Sequence, residues 1–149
     1  MIMASVSVII GSESDKDLGE AATGVLKDFG IDCELKVLSA HRNPRQLAEY
    51  VEGSGASVFI CIAGLAAALP GSVAALTVKP VIGVPKEVKL GGIDALLSIV
   101  QMPTGVPVAT VGIDSAKNAA LLAVEIIAVS DAEARGKLIE YRRKRASSG

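Results

Sequence analysis

The one histidine of this 149-residue chain, His41, stands in the stretch SAHRNP beside Arg42. An imidazole is the side chain best able to give and take a proton near neutral pH. A guanidinium has the planar shape that matches a phosphate. The pair therefore predicts proton transfer beside an anion site, and the alternative is an inert loop histidine. Acyl-enzyme chemistry lacks support because no G-x-S-x-G stretch accompanies His41.

The stretch GSESD, which begins at Gly11, follows the first apolar run of the chain. Gly11 lets the backbone turn sharply, and the hydroxyls of Ser12 and Ser14, with free amides at a helix start, can hold an anion. Acidic residues at positions 13, 15 and 17 oppose a bare phosphate site here. The stretch is neither a P-loop nor a G-x-G-x-x-G fingerprint, so we expect it to bind only part of a sugar phosphate.

These acidic residues suggest a division of labour in a nucleotide site. We expect Ser12 and the amides to meet part of the sugar phosphate and Asp15 to accept hydrogen bonds from ribose hydroxyls. Arg42 is the nearest cation that could balance the phosphate. The alternative is that Ser14 or Asp15 only caps the helix that follows.

A third candidate stretch is AGLAAALPG at residues 63–71, which is small and apolar. Its backbone, with Ala63, Gly64, Ala66 and Leu69, can form a wall that admits a flat heterocycle and hydrogen-bonds its polar edges. The alternative is close packing of a turn against a sheet. The two interpretations are compatible.

Five apolar runs of strand length, rich in Val and Ile, alternate with helical segments. The runs are SVSVII (5–10), CELKVLS (33–39), SVFICIA (57–63), PVIGV (80–84) and PVATVG (107–112). Helices are predicted at about 15–29, from Asn43 and Pro44 onward, and at about 70–76, 93–100 and 115–129. Strands that are apolar on both faces and separated by helices predict a doubly wound α/β fold with a parallel sheet.

Ligands of open α/β sheets bind beyond the carboxyl ends of the strands. GSESD, SAHRNP and AGLAAALPG follow the first, second and third predicted strands, and PKEVKLGG follows the fourth. With the flavodoxin-like strand order 2-1-3-4-5, the first three loops are immediate neighbours. The sequence therefore predicts one site at this edge of the sheet.

Length and composition favour one domain over residues 1–149, with a disordered tail at about 146–149. The 15 basic residues nearly cancel the 16 acidic ones, which disfavours a nucleic-acid partner. Cys33 and Cys61 are interpreted as buried, reduced core residues. One histidine and two distant cysteines predict no metal site.

The uncharged stretch at residues 53–78 is long enough to span a bilayer. Gly64, Pro70 and Gly71 interrupt it, so a strand, a turn and a short helix are the favoured interpretation. No basic flank precedes the first apolar run, so the sequence predicts no secretory signal, no membrane partner and a cytoplasmic location.

The stretch DAEARGKLIEYRRKR predicts an extra C-terminal helix with Leu138 and Tyr141 at helical spacing. A surface helix whose cations suit its C-terminal end is the favoured interpretation. The alternative is a helix that packs on a neighbouring subunit.

Six stretches, in order along the chain, resemble the PurE family of purine biosynthesis, the 5-(carboxyamino)imidazole ribonucleotide mutases. They are GSESD, VLSAHRNP, AGLAAALPG, PVIGVP, LLSIVQMPTGVPVATVGI and NAALLAVEII. The similarity covers nearly the whole chain. The series G-S-x-S-D, S-A-H-R and S-I-V-Q-M-P in one chain is highly specific.

The resemblance implies a three-layer, flavodoxin-like subunit of a homo-octamer, without a metal or an organic cofactor. It also implies that a carboxylate moves from the exocyclic amine of an aminoimidazole ribonucleotide to ring carbon 4, through carbon dioxide that is released, held and recaptured. By matching position, Ser12 and Asp15 bind the nucleotide, Arg42 holds its phosphate and His41 is the general acid/base. Residues 63–69 wall the pocket for the base and carbon dioxide. Further substrate-binding candidates in these stretches are Gly11, Ser14 and Ser39.

The chain departs from the family pattern at Ala68, where many members have histidine. The stretch KEVKLGG is more charged than the Ser- and Ala-rich loop common there, and DSAKNAA is shorter than the usual segment. Another arm of the family carboxylates the aminoimidazole nucleotide directly with carbon dioxide. That arm tends to have lysine at the position of Arg42, which favours the mutase here. A non-catalytic nucleotide-binding module is the remaining alternative, because fold does not fix function.

Overall fold

The structure is a computed structural model that describes residues 3–148. These residues form one parallel sheet in the order β2-β1-β3-β4-β5. The strands are β1 (Ser5–Ile10), β2 (Asp32–Val37), β3 (Val58–Gly64), β4 (Val81–Lys86) and β5 (Ala109–Thr110). The helices are α1 (Lys16–Asp28), α2 (Pro44–Gly53), α3 (Leu69–Ala74), α4 (Ile93–Val100), α5 (Ala116–Ala128) and α6 (Ala132–Ser148). The predicted flavodoxin-like fold and its strand order are confirmed.

Alternate residues of the central strands face opposite sides of the sheet. Val8 of β1 and Ile60 of β3 pack with α1, α5 and α6. Ile9 and Cys61 pack on the other face with α2, α3 and α4. Because helices cover both faces, β3 is apolar on both faces, which is why its run shows no alternation in the sequence.

The two edge strands differ from the predictions. Within residues 3–148, β2 pairs only with β1, and Cys33 is half-buried rather than buried like Cys61. β5 is restricted to two residues of the predicted run 107–112. It has β4 as its one strand partner, and Pro107 has no N–H to donate to a ladder.

Helix ends follow the local signals. α2 begins at Pro44 directly after Asn43, and α4 has the predicted bounds. After α1, Gly30 has a φ of +69°, the left-handed conformation that glycine adopts without strain.

The C-terminal helix α6 packs on its own chain. Ala134 and Leu138 are buried in the core cluster of α1 and α5, and the ring of Tyr141 lies 5.6 Å from that of Phe29. The helix continues through 146–148, where a disordered tail is predicted; Gly149 lies outside the described residues. Ala146 is a strong helix former, which is consistent with the continuation.

The uncharged stretch at 53–78 forms β3 and α3 with their connections, as the sequence predicts. Among the described residues, no helix combines the length and the apolar character needed to cross a membrane.

Candidate active site

A cleft of about 510 Å³ lies at the carboxyl ends of the strands. Each site residue that the sequence predicts lines this cleft. They are Gly11, Ser12, Ser14, Asp15, Ser39, His41, Arg42, Ala63, Gly64, Ala66 and Leu69. The structure therefore brings the three predicted loops together, because β1 lies between β2 and β3.

The loop after β1 forms a 3-10 turn at Glu13–Asp15 before α1. The hydroxyl oxygen of Ser12 accepts hydrogen bonds from the backbone N–H of Ser14 at 3.3 Å and from its hydroxyl at 3.1 Å. Asp15 stands at the cap position of α1, but its side chain makes no capping hydrogen bond. Capping is therefore the role of Ser12 in this loop, and the carboxylate of Asp15 has another partner.

That partner is Lys86, at the end of β4. Its Nζ lies 3.0 Å from Oδ1 of Asp15 and donates a hydrogen bond of 2.7 Å to the carbonyl oxygen of Ser14. The Asp15 side chain is only 6% exposed, and that of Lys86 is 21% exposed. Sequence reasoning missed Lys86, although the charges of PKEVKLGG at the same sheet edge are a signal for it.

The loop after β2 is a tight turn closed by its own polar groups. The hydroxyl oxygen of Ser39 accepts from the backbone N–H of Arg42 at 3.1 Å. Oδ1 of Asn43 accepts from the N–H of Ser39 at 3.3 Å, so this side chain binds back toward β2 rather than capping α2. The turn fixes the backbone of residues 39–43 at the rim of the cleft.

Arg42 connects this turn to the end of β1. Its Nη2 donates a hydrogen bond of 2.8 Å to the carbonyl oxygen of Gly11. A guanidinium has five N–H donors, so most of them remain for an anion in the cleft. With Lys86 on the other side, the GSESD loop lies between two cations.

His41 is exposed in the cleft. Within the described part of the chain, no hydrogen bond engages its imidazole. Both ring nitrogens are therefore accessible to a ligand.

The loop after β3 forms the apolar side of the cleft. Ala67 and Leu69 are buried. The loop turns tightly before them, where the backbone N–H of Ala67 donates a hydrogen bond of 2.9 Å to the carbonyl oxygen of Leu65. Leu65 has a φ of 56° and is half-exposed at the rim. Ala68, the departure from the family pattern, presents a methyl group to the same cleft.

Gly64 allows the loop after β4 to approach this wall. A Cβ at Gly64 would lie 2.6 Å from Cγ2 of Val88 and 3.3 Å from the carbonyl oxygen of Lys86. A side chain at this position would displace both residues. Val88 also lines the cleft and is a second residue that sequence reasoning missed.

The cleft as a whole suits a small phosphorylated ribonucleotide. The Arg42 guanidinium, the Ser12 hydroxyl and the buried carboxylate of Asp15 can bind phosphate and sugar. The imidazole and the alanine-rich wall suit proton transfer on a flat ring. Among residues 3–148, His, Cys, Asp and Glu side chains form no group of three or more that could hold a metal ion.

Comparison with known proteins gives concordant matches over almost all of the chain. The N5-carboxyaminoimidazole ribonucleotide mutase of Methanocaldococcus jannaschii is 59% identical over 139 residues, which cover 93% of this chain and 88% of that protein. The mutase of Pyrococcus abyssi is 56% identical over 144 residues, which cover 94% of this chain and 83% of that protein. The crystal structure of Treponema denticola PurE matches with a TM-score of 0.89 at 30% identity, over 97% of this chain and 93% of the other. Because the family model for AIR carboxylase also matches residues 5–148, the chain belongs to the AIR carboxylase family.

Proposed function

We propose that this chain is a 5-(carboxyamino)imidazole ribonucleotide mutase of purine biosynthesis, an isomerase. The reaction moves a carboxylate from the exocyclic nitrogen of the substrate to ring carbon 4. The observation that carries the proposal is the identity of more than half of the aligned residues to two curated mutases over more than nine tenths of this chain. The cleft at the carboxyl ends of the strands supplies the groups that such a reaction needs.

The polar side of the cleft binds the ribose phosphate. Arg42 and the hydroxyl of Ser12 hold the phosphate beside the carbonyl of Gly11. Asp15 accepts hydrogen bonds from the ribose hydroxyls. Ser14 and Ser39 stabilise their own loops through hydrogen bonds to the Ser12 hydroxyl and from the N–H of Arg42. Binding energy from this remote part of the substrate fixes the position of the imidazole ring.

His41 moves the protons of the reaction. As an imidazolium it protonates the exocyclic nitrogen as carbon dioxide leaves, and as an imidazole it then takes the proton from ring carbon 4 after that carbon has attacked carbon dioxide. The histidine returns to its starting state, and no net proton is gained or lost. One group that alternates between acid and base is sufficient for both steps.

The apolar wall retains carbon dioxide between the two steps. Ala63, Ala66 and Leu69, with the buried Ala67, present small aliphatic groups to the ring and exclude water. A small apolar molecule is held there without a charged partner, which favours recapture over loss to bulk solvent.

The proposed assembly is a homo-octamer. On α4, Ile93, Leu97 and Val100 follow one another at helical spacing and are 48–51% exposed, and Leu90 before the helix is 77% exposed. An apolar helix face of this kind is typical of a surface that is covered by another chain. Native mass spectrometry is expected to give eight copies, and a monomer would contradict the assembly.

We further propose a cytoplasmic location. A phosphorylated nucleotide does not cross a membrane unaided, so the enzyme must share the compartment in which its substrate is made. The thiols of Cys33 and Cys61 are free, which suits a reducing compartment.

The proposed function is tested by offering two alternative substrates. One reaction contains the carboxyamino nucleotide, the other contains the aminoimidazole nucleotide with bicarbonate, and the 4-carboxylated product is followed against an enzyme-free control. We expect efficient turnover of the carboxyamino nucleotide. Efficient use of only the second mixture would make the chain a direct carboxylase, and turnover of neither would leave a nucleotide-binding module.

A further inference from the structure

Lys86 contacts the substrate site from β4, outside the three loops that contain the predicted site residues. We propose that Lys86 is a positioning residue, which holds the carboxylate of Asp15 in the orientation that receives the ribose hydroxyls. This inference rests on the proposed function of the same cleft and assigns a role to a residue that the sequence left unassigned.

The side chain of Asp15 is buried. A carboxylate on a side chain that is only 6% exposed is unfavourable unless a cation or several hydrogen bonds compensate for its lost hydration. Among residues 3–148, Lys86 is the cation paired with it, at 3.0 Å from Oδ1. The other oxygen, Oδ2, lies beside Gly11, at 3.9 Å from where a Cβ of that glycine would be. The ion pair thus uses one oxygen and leaves the other beside the cleft.

The ammonium of Lys86 is itself held in place. Its hydrogen bond of 2.7 Å to the carbonyl oxygen of Ser14 anchors it to the backbone of the turn that contains Asp15. One of its three N–H donors is used by Ser14, and its charge lies 3.0 Å from Oδ1 of the next residue, Asp15. The charge therefore stabilises the turn and its carboxylate together.

The Lys86 side chain crosses the strand that lies between its own strand and its partners. β3 lies between β1 and β4, and Gly64 of β3 is paired in register with Lys86. A Cβ at Gly64 would lie 3.3 Å from the carbonyl oxygen of Lys86, so glycine lets the two backbones stay close at this point. From there the lysine extends over the end of β3 to reach the loop after β1.

This geometry favours action through Asp15 over direct contact with the substrate. The Lys86 side chain is 21% exposed, and its ammonium lies against two protein oxygens, the carbonyl oxygen of Ser14 and Oδ1 of Asp15. Removal of Lys86 is therefore expected to weaken nucleotide binding without slowing proton transfer at His41.

The test compares four variants with the wild-type enzyme. Lys86→Met removes the charge, Lys86→Gln removes the charge but keeps a donor for Ser14, and Lys86→Arg keeps the charge. Lys89→Met is the matched control, because Lys89 is an exposed lysine of the same loop. We measure kcat and KM for the carboxyamino nucleotide, the Kd of the 4-carboxylated nucleotide by calorimetry, and thermal unfolding of each variant.

We expect KM and Kd to rise by about tenfold in Lys86→Met and Lys86→Gln, with kcat changed by less than about twofold. Lys86→Arg restores most of the affinity, and Lys89→Met leaves all values unchanged. Unchanged KM and Kd in Lys86→Gln would overturn the proposal. A loss of affinity in Lys86→Arg equal to that in Lys86→Met would also overturn the proposal.

A second comparison separates action through Asp15 from direct contact. Asp15→Asn is measured alone and together with Lys86→Met. If Lys86 acts through Asp15, the double variant has the Kd of Asp15→Asn alone, whereas additive losses would show that Lys86 contacts the nucleotide directly and contradict the proposal. A separate outcome is that the wild-type protein binds the 4-carboxylated nucleotide and turns over neither substrate mixture. That result would overturn the proposed function but not the role of Lys86, which the Kd values of the variants would still test.

Discussion

Two clefts open at opposite ends of the sheet, and the larger is not the proposed active site. The amino-end cleft, about 740 Å³, lies where β1 and β2 begin and includes Ser7, Glu34 and Tyr50. The carboxyl-end cleft, about 510 Å³, includes His41, Arg42 and the other site residues. Cleft volume therefore does not identify the active site. The two clefts differ in whether their polar groups bind one another or remain accessible to a ligand.

In the amino-end cleft the polar groups bind one another. The hydroxyls of the buried Ser7 and of Tyr50 are 2.6 Å apart, and Tyr50 also donates a hydrogen bond to Glu34. Burial, reinforced by the bond to Glu34, raises the pKa of Tyr50 well above its ordinary value. This network is a structural link between β1, β2 and α2, and its tyrosine stays protonated near neutral pH.

In the carboxyl-end cleft His41 and Arg42 remain accessible to a ligand. His41 is exposed, and Arg42 has N–H donors beyond the one that binds Gly11. The two clefts are distinguished by strand direction and by the presence of side-chain donors without internal partners.

The largest effect is expected for His41→Asn. Loss of a general acid/base lowers kcat by about 10²- to 10⁴-fold, while the Kd of the nucleotide and the thermal stability stay near wild type. Steady-state kinetics and calorimetry measure these quantities. Unchanged turnover would remove His41 from the mechanism.

Arg42→Ala is expected to weaken substrate binding by about 2 kcal/mol, or roughly thirtyfold in KM, because a charge-assisted contact to phosphate is lost. The expected change in kcat is smaller than the change in KM. The matched control is Arg45→Ala, since Arg45 is an exposed arginine in the first turn of α2. Equal KM values for the two variants would place the phosphate elsewhere.

Tyr50→Phe tests the amino-end cleft. The substitution leaves the buried hydroxyl of Ser7 without its partner, which is expected to lower the free energy of unfolding by about 1–2 kcal/mol. Denaturant titration measures this loss, and kcat and KM are expected to match wild type. A fall in kcat comparable to that of His41→Asn would abolish the distinction between the clefts.

The smallest effect is expected for the free energy of unfolding at alkaline pH. Burial raises the pKa of the Cys61 thiol above its ordinary value of 9.0, so the folded chain holds this proton after the unfolded chain has lost it. Stability is therefore complete below about pH 9 and falls as pH rises, by about 1 kcal/mol from this group between pH 9 and 10.

The check on this linkage is the pH dependence of the free energy of unfolding in wild type and in Cys61→Ala. We expect the variant to show a shallower decline above pH 9, since it lacks the linked proton. Parallel curves for the two proteins would contradict the assignment to Cys61.

The sequence predicts most of this fold because local signals determine it. Apolar strand runs, Pro44 after Asn43 and Gly30 after α1 each act within a few residues. β5 is shorter than its run because strand length also depends on neighbours, and β5 lies at an edge. Ser147 and Ser148 both donate hydrogen bonds of 3.0 Å to the carbonyl of Lys144, a local bond that composition does not reveal.

The site is predictable to the extent that strand ends determine it. SAHRNP and GSESD meet because the carboxyl ends of β2 and β1 are adjacent. Lys86 escapes the prediction because its partners, Ser14 and Asp15, are about 70 positions earlier in the chain. That contact depends on the length and the conformation of one side chain, which no spacing rule contains.

We expect the carboxyl-end cleft to bind the nucleotide and the amino-end cleft to remain empty. A crystal structure of the protein with the 4-carboxylated product is the decisive test. We expect the phosphate beside Arg42, the ribose hydroxyls beside Asp15 and the ring between His41 and Ala66. A nucleotide bound beside Tyr50 and Ser54, with the carboxyl-end cleft empty, would contradict this expectation.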